Sequence, residues 1–413
     1  YIQPPLLRRL LYFCGMISLR QLFLLNNAQT SSTPRLLQVD RAKGIYLYDP
    51  EGKAYMDFVS GFAVSNVGHC HPAVVQAVKE QADRYMHVAV YGEYVQAPQV
   101  LFAEKLVSVL PAGLDSVYFV NSGAEATEGA IKLAKRFTGR SKIISCHHAY
   151  HGSTHGALSV MGNEYYKQAY RPLLPDVHFI HYNQTTDLEL IDSETACVIL
   201  ESIQGEAGVR VASNDYMQAL RKRCDETGTL LIFDEIQTGF GRTGKLFAFE
   251  HFGMQPDILL LAKGIGGGMP VGAFIASQEV MNCLKDNPIL GHITTFGGHP
   301  VSCAAGLATL QTIIDENLMA DVDKKEALLR NLLVHPSIRE IRGKGLMLCI
   351  QLDTFQQVEE VSRKCVENGV IVDWFLHCDT AIRIAPPLIV SEEEIRKACK
   401  IITDVLTSVQ ERA

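Results

Sequence analysis

An α/β fold built on a large, mainly parallel sheet, with a smaller α+β unit beside it, is the architecture this sequence predicts. Three observations carry the expectation. Between about residue 70 and residue 300, short apolar runs alternate with amphipathic stretches at helical spacing. The runs are continuously apolar rather than alternating, which suits strands covered on both faces of a parallel sheet. Beyond Pro300 the pattern changes to a helix of small residues, a strand and a closing helix.

Taken in order, the chain opens with Arg8 and Arg9 before an apolar run from Leu10 to Leu19. The run resembles a secretory core, but no small-x-small cleavage site follows and Arg20 ends it short of a membrane span. A cytoplasmic protein is therefore expected, with Met16 as a candidate start that would make residues 1–15 an extension. Alternation around Asp49-Pro50-Glu51-Gly52 predicts a hairpin. Strands are predicted at 117–120, 142–145, 197–200, 230–233 and 258–261. Helix follows at 301–314 and strand at 346–352. The last helix starts at Ser391-x-x-Glu394, a capping box, with Ile395, Ala398, Cys399, Ile402 and Leu406 on one face. At 413 residues the chain exceeds one simple core. The expected division is an N-terminal segment (1–69) belonging to the small domain, a large domain (70–305) and a C-terminal small domain (306–413).

Composition narrows the partners. A formal net charge of −7 without a block of Lys and Arg argues against nucleic acid and for small molecules. Eleven cysteines without a C-x-x-C pair argue against a disulfide framework or a zinc ribbon, and fit a reducing compartment. His69-Cys70-His71 and Cys146-His147-His148 match no metal-ligand spacing, so no metal is expected; both stretches are read as pocket wall.

Ligands of parallel α/β sheets sit at the carboxyl ends of the strands, and the informative residues follow the apolar runs. Asn121-Ser122-Gly123-Ala124-Glu125 opens a helix directly after the first run. Ser122 and Glu125 read as a capping box, and Gly123 lets amides approach an anion at the positive helix end. A plain helix start would look the same. The 230–233 run ends in Asp234, a strand-end carboxylate able to keep a heterocyclic nitrogen protonated. The 258–261 run delivers Lys263 into a glycine-rich loop, where low dielectric and free space suit a lysine that bonds a carbonyl. A competing P-loop, Gly239-x-x-x-x-Gly244-Lys245, has Leu246 where Ser or Thr should bind magnesium and trails the acidic strand instead of preceding it. A phosphate cup, a carboxylate and a buried lysine together are what pyridoxal 5'-phosphate (PLP) requires.

Asp234-Glu235-Ile236-Gln237-x-Gly239-x-Gly241-Arg242-Thr243-Gly244, followed by Pro256-Asp257-Ile258 and Ala262-Lys263-Gly264-Ile265-Gly266-Gly267-Gly268, resembles the signature of class III PLP-dependent aminotransferases. That family includes ornithine and acetylornithine aminotransferases, and the likeness runs from Gly44 to about Leu388. It implies fold type I, as in aspartate aminotransferase, and a homodimer. It also implies amino transfer by a ping-pong route from an amino acid or primary amine to a 2-oxo acid, with 2-oxoglutarate expected. An aminomutase, lyase or decarboxylase would share the fold and the lysine.

By the same likeness Lys263 would hold PLP and shuttle the proton, Asp234 would pair with the ring nitrogen, and Gln237 would bond the ring hydroxyl. Ser122, Gly123 and Ala124 would hold the phosphate. Tyr150 would stack on the ring beside His151, also a cofactor contact, and Thr295 would reach the phosphate of the neighbouring subunit. Arg383, in Ile382-Arg383-Ile384-Ala385-Pro386-Pro387, would clamp a substrate carboxylate, and Glu206 would mask it. Two positions depart from the pattern. Ser153 stands where relatives often carry an Arg for a distal carboxylate, and Ser32 falls near the place of a substrate-contacting tyrosine.

Overall fold

The structure, a computed structural model, describes residues 17–90 and 92–411; the expected extension (1–15) and the start at Met16 lie outside the described residues. At its centre is a seven-stranded sheet in the order Ser116–Val120, Gly272–Ala276, Ile258–Leu261, Leu230–Asp234, Thr195–Glu201, Lys142–Cys146, Val177–Ile180. The strands are parallel except Gly272–Ala276, which is antiparallel to both neighbours. The five predicted strands are all present, most longer by a residue or two. The strands at 177–180 and 272–276 are additions.

Continuous apolar runs make sense here because both faces are covered. Leu231, Phe233, Leu259 and Leu261 join one core, while Leu230, Ile232, Ile258 and Leu260 join the core on the opposite face. Each such side chain stabilises the fold by about 2 kcal/mol. Helix Gly123–Thr138 covers one face with Ala126, Ala130, Ile131, Leu133 and Ala134, and ends at Gly139 in the left-handed conformation (φ +70°).

The predicted hairpin pairs Tyr46–Tyr48 with Ala54–Asp57, and its second strand continues in parallel to Val370–Ile371, tying the N-terminal segment to the C-terminal region. A four-stranded sheet of 340–344, 347–351, 378–384 and 373–375 carries Arg383. The closing helix Glu392–Gln410 has the full capping box at Ser391 and Glu394. Helix Pro300–Asp315 packs against Pro72–Arg84, Ala97–Val107 and the turn at Lys263, and so braces the lysine from behind. Among the described residues, no helix is long and apolar enough to cross a membrane.

Candidate active site

The carboxyl ends of the parallel strands open onto a cavity of about 490 Å³. Ser122, Gly123, Ala124, Tyr150, His151, Glu206, Asp234, Gln237 and Lys263 all line it. Strand register explains the convergence, since Asp234 lies opposite Glu201 on one side and Leu260 on the other.

Ser122 caps the cup helix, its Oγ accepting the Glu125 N–H at 3.2 Å. The capping box is only half formed, because the Glu125 carboxylate accepts instead from Asn121 N and Nδ2, at 2.7 and 2.9 Å. The first free amides of the helix, at Gly123 and Ala124, are thereby left to face the cavity. Thr127 Oγ1 lies 3.1 Å from Gly123 O and 2.9 Å from His151 O, tying the cup to the His151 segment. Gly152 fits closely there: at φ +123° an added Cβ would fall 2.7 Å from Ala124 Cβ and 2.9 Å from its Cα.

Behind the cup, His151 Nδ1 donates to Asp234 Oδ2 at 2.7 Å and the Ile236 N–H donates to Oδ1 at 2.9 Å. The Asp234 carboxylate is thus fixed from two sides. Lys263 adopts φ +51°, a left-handed conformation unusual for a side-chain-bearing residue, at the start of a tight turn. Gly264 follows against Asn66, where a Cβ would meet Nδ2 at 2.8 Å. Burial holds the Lys263 ammonium below the usual lysine range, with Arg383 acting the same way against Glu206, Asp234 and Glu201.

Glu206 and Arg383 form a buried pair at one end of the cavity, Arg383 Nη2 donating to both carboxylate oxygens at 2.7 and 2.8 Å. Burial alone would raise the Glu206 pKa, but Arg383 and then Lys263 hold it below the usual range. Leu376 N–H adds a third donor at 3.1 Å. Gln237 Nε2 sits 3.5 Å from Glu206 Oε1, linking the pair to the ring end of the site. Arg383 therefore stands behind Glu206 and does not itself line the cavity.

Thr295 is exposed and does not line this cavity; its segment borders a second concavity formed with Gln99, Tyr118 and Leu290. Ser153 lines the cavity, its Oγ 3.3 Å from Tyr150 Oη, while Ser32 is exposed and away from it. The histidine-rich stretches are not pocket wall. His69 bonds Asp57 and Ser65, and His147 packs on His181, so both serve local structure. The P-loop alternative also fails: residues 239–245 form turns leading to a 3-10 turn at Ala248–Phe252, and no helix begins at Lys245 to present its amides.

Glu201 was not anticipated. Its run looked complete at Leu200, yet the strand continues one residue, and strand-end position was the signal that also marked Asp234. The carboxylate accepts Tyr150 N–H at 3.2 Å and Gly205 N–H at 2.6 Å, bridging the Tyr150 segment to the turn that carries Glu206. Burial pushes its pKa up to about 7. An acid whose folded pKa lies above its unfolded value adds stability below the unfolded value, lost as pH rises through the folded one. In the cofactor-free protein, Glu201→Gln should therefore gain on the wild type by a few degrees in Tm between pH 5 and pH 8. Parallel Tm curves for the two proteins over that interval would refute the shift.

The residues fit PLP. A helix-end cup answers the phosphate, a doubly anchored carboxylate answers the ring nitrogen, a desolvated lysine answers the carbonyl, and glycines keep the space between them open. The fold and this cavity define a PLP-dependent enzyme of fold type I. The family model of aminotransferase class-III matches residues 27–406. Acetylornithine aminotransferase of Caldanaerobacter subterraneus subsp. tengcongensis is 42% identical over 382 residues, covering 90% of this chain and 94% of that protein. Among solved structures, ornithine aminotransferase of Toxoplasma gondii superposes with a TM-score of 0.89 at 31% identity, over 97% of this chain and 98% of that one. An (S)-enantioselective omega-transaminase of Thermomicrobium roseum gives 0.87 at 30% identity, over 99% of each chain. The chain belongs to the class-III aminotransferase family, and PLP is its cofactor.

Proposed function

We propose that this aminotransferase takes the amino group from a donor whose reacting amine is remote from a carboxylate, of the acetylornithine, ornithine or primary-amine type, and passes it to 2-oxoglutarate by a ping-pong route. The observation that carries the reading is the buried Glu206–Arg383 pair beside Lys263. With the pair closed, Arg383 is neutralised and an amine without an adjacent carboxylate is admitted. A 2-oxo acid displaces Glu206 and takes the guanidinium fork.

PLP, when bound, supplies the electron sink for bond breaking at the amine carbon. The chain's own residues do the rest. Ser122, Gly123 and Ala124 would hold the phosphate, Asp234 would keep the ring nitrogen protonated, and His151 would act through Asp234 as a positioning residue. Tyr150 would cover one ring face and Gln237 would bond the ring hydroxyl. Lys263 would bond the cofactor and would move the proton at the amine carbon; burial holds its ammonium below the usual lysine range. The exposed position of Thr295 supports its service to the phosphate of a second copy, which makes the working unit a homodimer. The Met56–Asp57 pairing with Val370–Ile371 supports a small domain of residues 1–69 and 306–413 beside a large domain of 70–305. The free thiols support a cytoplasmic setting.

Arg383→Lys tests the gate, because lysine keeps the charge and loses the planar fork. The KM for 2-oxoglutarate should rise about tenfold or more, in line with the loss of one charge-assisted hydrogen bond, while the KM for an amine donor changes little. Equal changes in both would remove Arg383 from acceptor recognition.

A further inference from the structure

The turn between strands 373–375 and 378–384 touches both members of the Glu206–Arg383 pair. Phe375, fully buried, lays its ring over Arg383, with the centroid 4.5 Å from Cζ. Leu376 N–H donates to the Glu206 carboxylate and His377 N–H to the Glu206 carbonyl, each at 3.1 Å. Glu206 is thus held by the turn at its side chain and at its backbone. Two side chains hold the turn itself. Tyr166 Oη donates to Leu376 O at 2.9 Å, and His377 Nδ1 donates to His148 O at 2.7 Å. A carbonyl only accepts, so Nδ1 carries the hydrogen. His377 Nε2 is buried with no partner among the described residues, which leaves the Nδ1 bond as the ring's one polar anchor. That anchor ties the turn to the segment that carries Tyr150. His148 stands two residues before Tyr150 in the left-handed conformation (φ +61°), and the His377 ring meets the Tyr150 ring edge-on at 6.5 Å.

We propose that His377 is a positioning residue which, together with Tyr166, latches the gate shut by fixing the turn that presents Leu376 N–H to Glu206. This role rests on the gate reading above and adds which residues set the balance between closed and open. In the closed pair the Glu206 carboxylate accepts from Arg383 Nη2 at both oxygens and from Leu376 N–H. A substrate carboxylate that displaces Glu206 replaces the bonds on Arg383, but it does not replace the one from Leu376. The Leu376 bond therefore opposes the carboxylate-bearing partner and leaves a donor admitted through the closed gate untouched. Phe375 holds the face of the guanidinium, so Arg383 stays in place when Glu206 leaves. Loosening the turn raises the open fraction and tightens carboxylate binding, whereas general damage to the site would weaken it.

The test measures, by calorimetry on the PLP-loaded enzyme, the Kd of glutarate, a dicarboxylate that lacks the reacting oxo group. His377→Ala removes the ring anchor, and Tyr166→Phe removes a single hydroxyl and keeps the test available if the first variant fails to fold. Each should bind glutarate about three- to tenfold more tightly than the wild type, the equivalent of one neutral hydrogen bond. His377→Asn, whose Nδ2 can donate where Nδ1 did, should return the Kd towards the wild-type value. Arg383→Lys, measured alongside, separates the latch from the gate. If that variant binds glutarate more weakly while Tyr166→Phe and His377→Ala bind it no more tightly than the wild type, the latch is overturned and the gate stands. Unchanged binding in Arg383→Lys would overturn the gate reading, and the latch with it.

Discussion

Lys263→Ala is expected to lower turnover by about 10⁴-fold, the upper end of what one positioned proton carrier contributes, and to abolish the visible absorption of lysine-bound PLP. The cup at Ser122, Gly123 and Ala124 is untouched by the substitution, so PLP should still co-purify or add back, held without a covalent bond. Two observations set the size of the effect. Lys263 is the amine that the strand Ile258–Leu261 delivers into the cavity, and its burial holds it below the usual lysine range. Steady-state kinetics with a spectrum of the same sample checks both parts; transamination retained near the wild-type rate would refute the assignment.

Asp234→Asn should cost about 10²- to 10³-fold in kcat, comparable to removing one preorganised charge partner from a water-poor site. Asparagine keeps the volume and can still accept from Ile236 N–H through its one oxygen, while its NH2 replaces the acceptor that faces His151 Nδ1. It cannot hold a proton on the ring nitrogen. The loss should therefore fall on kcat, with donor KM within a few-fold of wild type. A kcat within threefold of wild type would remove Asp234 from that role.

Both residues were legible in the sequence because each follows a continuous apolar run, and the parallel-sheet rule says where such runs point. Ile258–Leu261 was read to its full length for that reason. The strand Gly272–Ala276 was not, since its small residues follow a glycine-rich loop and read as more loop; only pairing on both sides makes it a strand. Val177–Ile180 is an edge strand interrupted by His178, too short to stand out. Glu201 was hidden by a charge that seemed to end its run. The contacts among distant residues had no local signal. Arg383 and Glu206 lie 177 positions apart, and the resemblance to relatives, rather than any spacing, brought them together in advance.

Ser153 marks where the substrate question stands. Of the basic side chains in this part of the chain, Lys263 lines the cavity and Arg383 is engaged by Glu206. The Tyr150 and Ser153 hydroxyls line the cavity 3.3 Å apart, and among the described residues no guanidinium lines it.

The visible spectrum of the purified, PLP-loaded enzyme before and after excess glutamate tests the central claim most directly. The account predicts a yellow band that bleaches as the amino group passes to the cofactor, and that returns on addition of 2-oxoglutarate. A band that glutamate leaves unmoved would contradict the Arg383 gate and the 2-oxoglutarate acceptor.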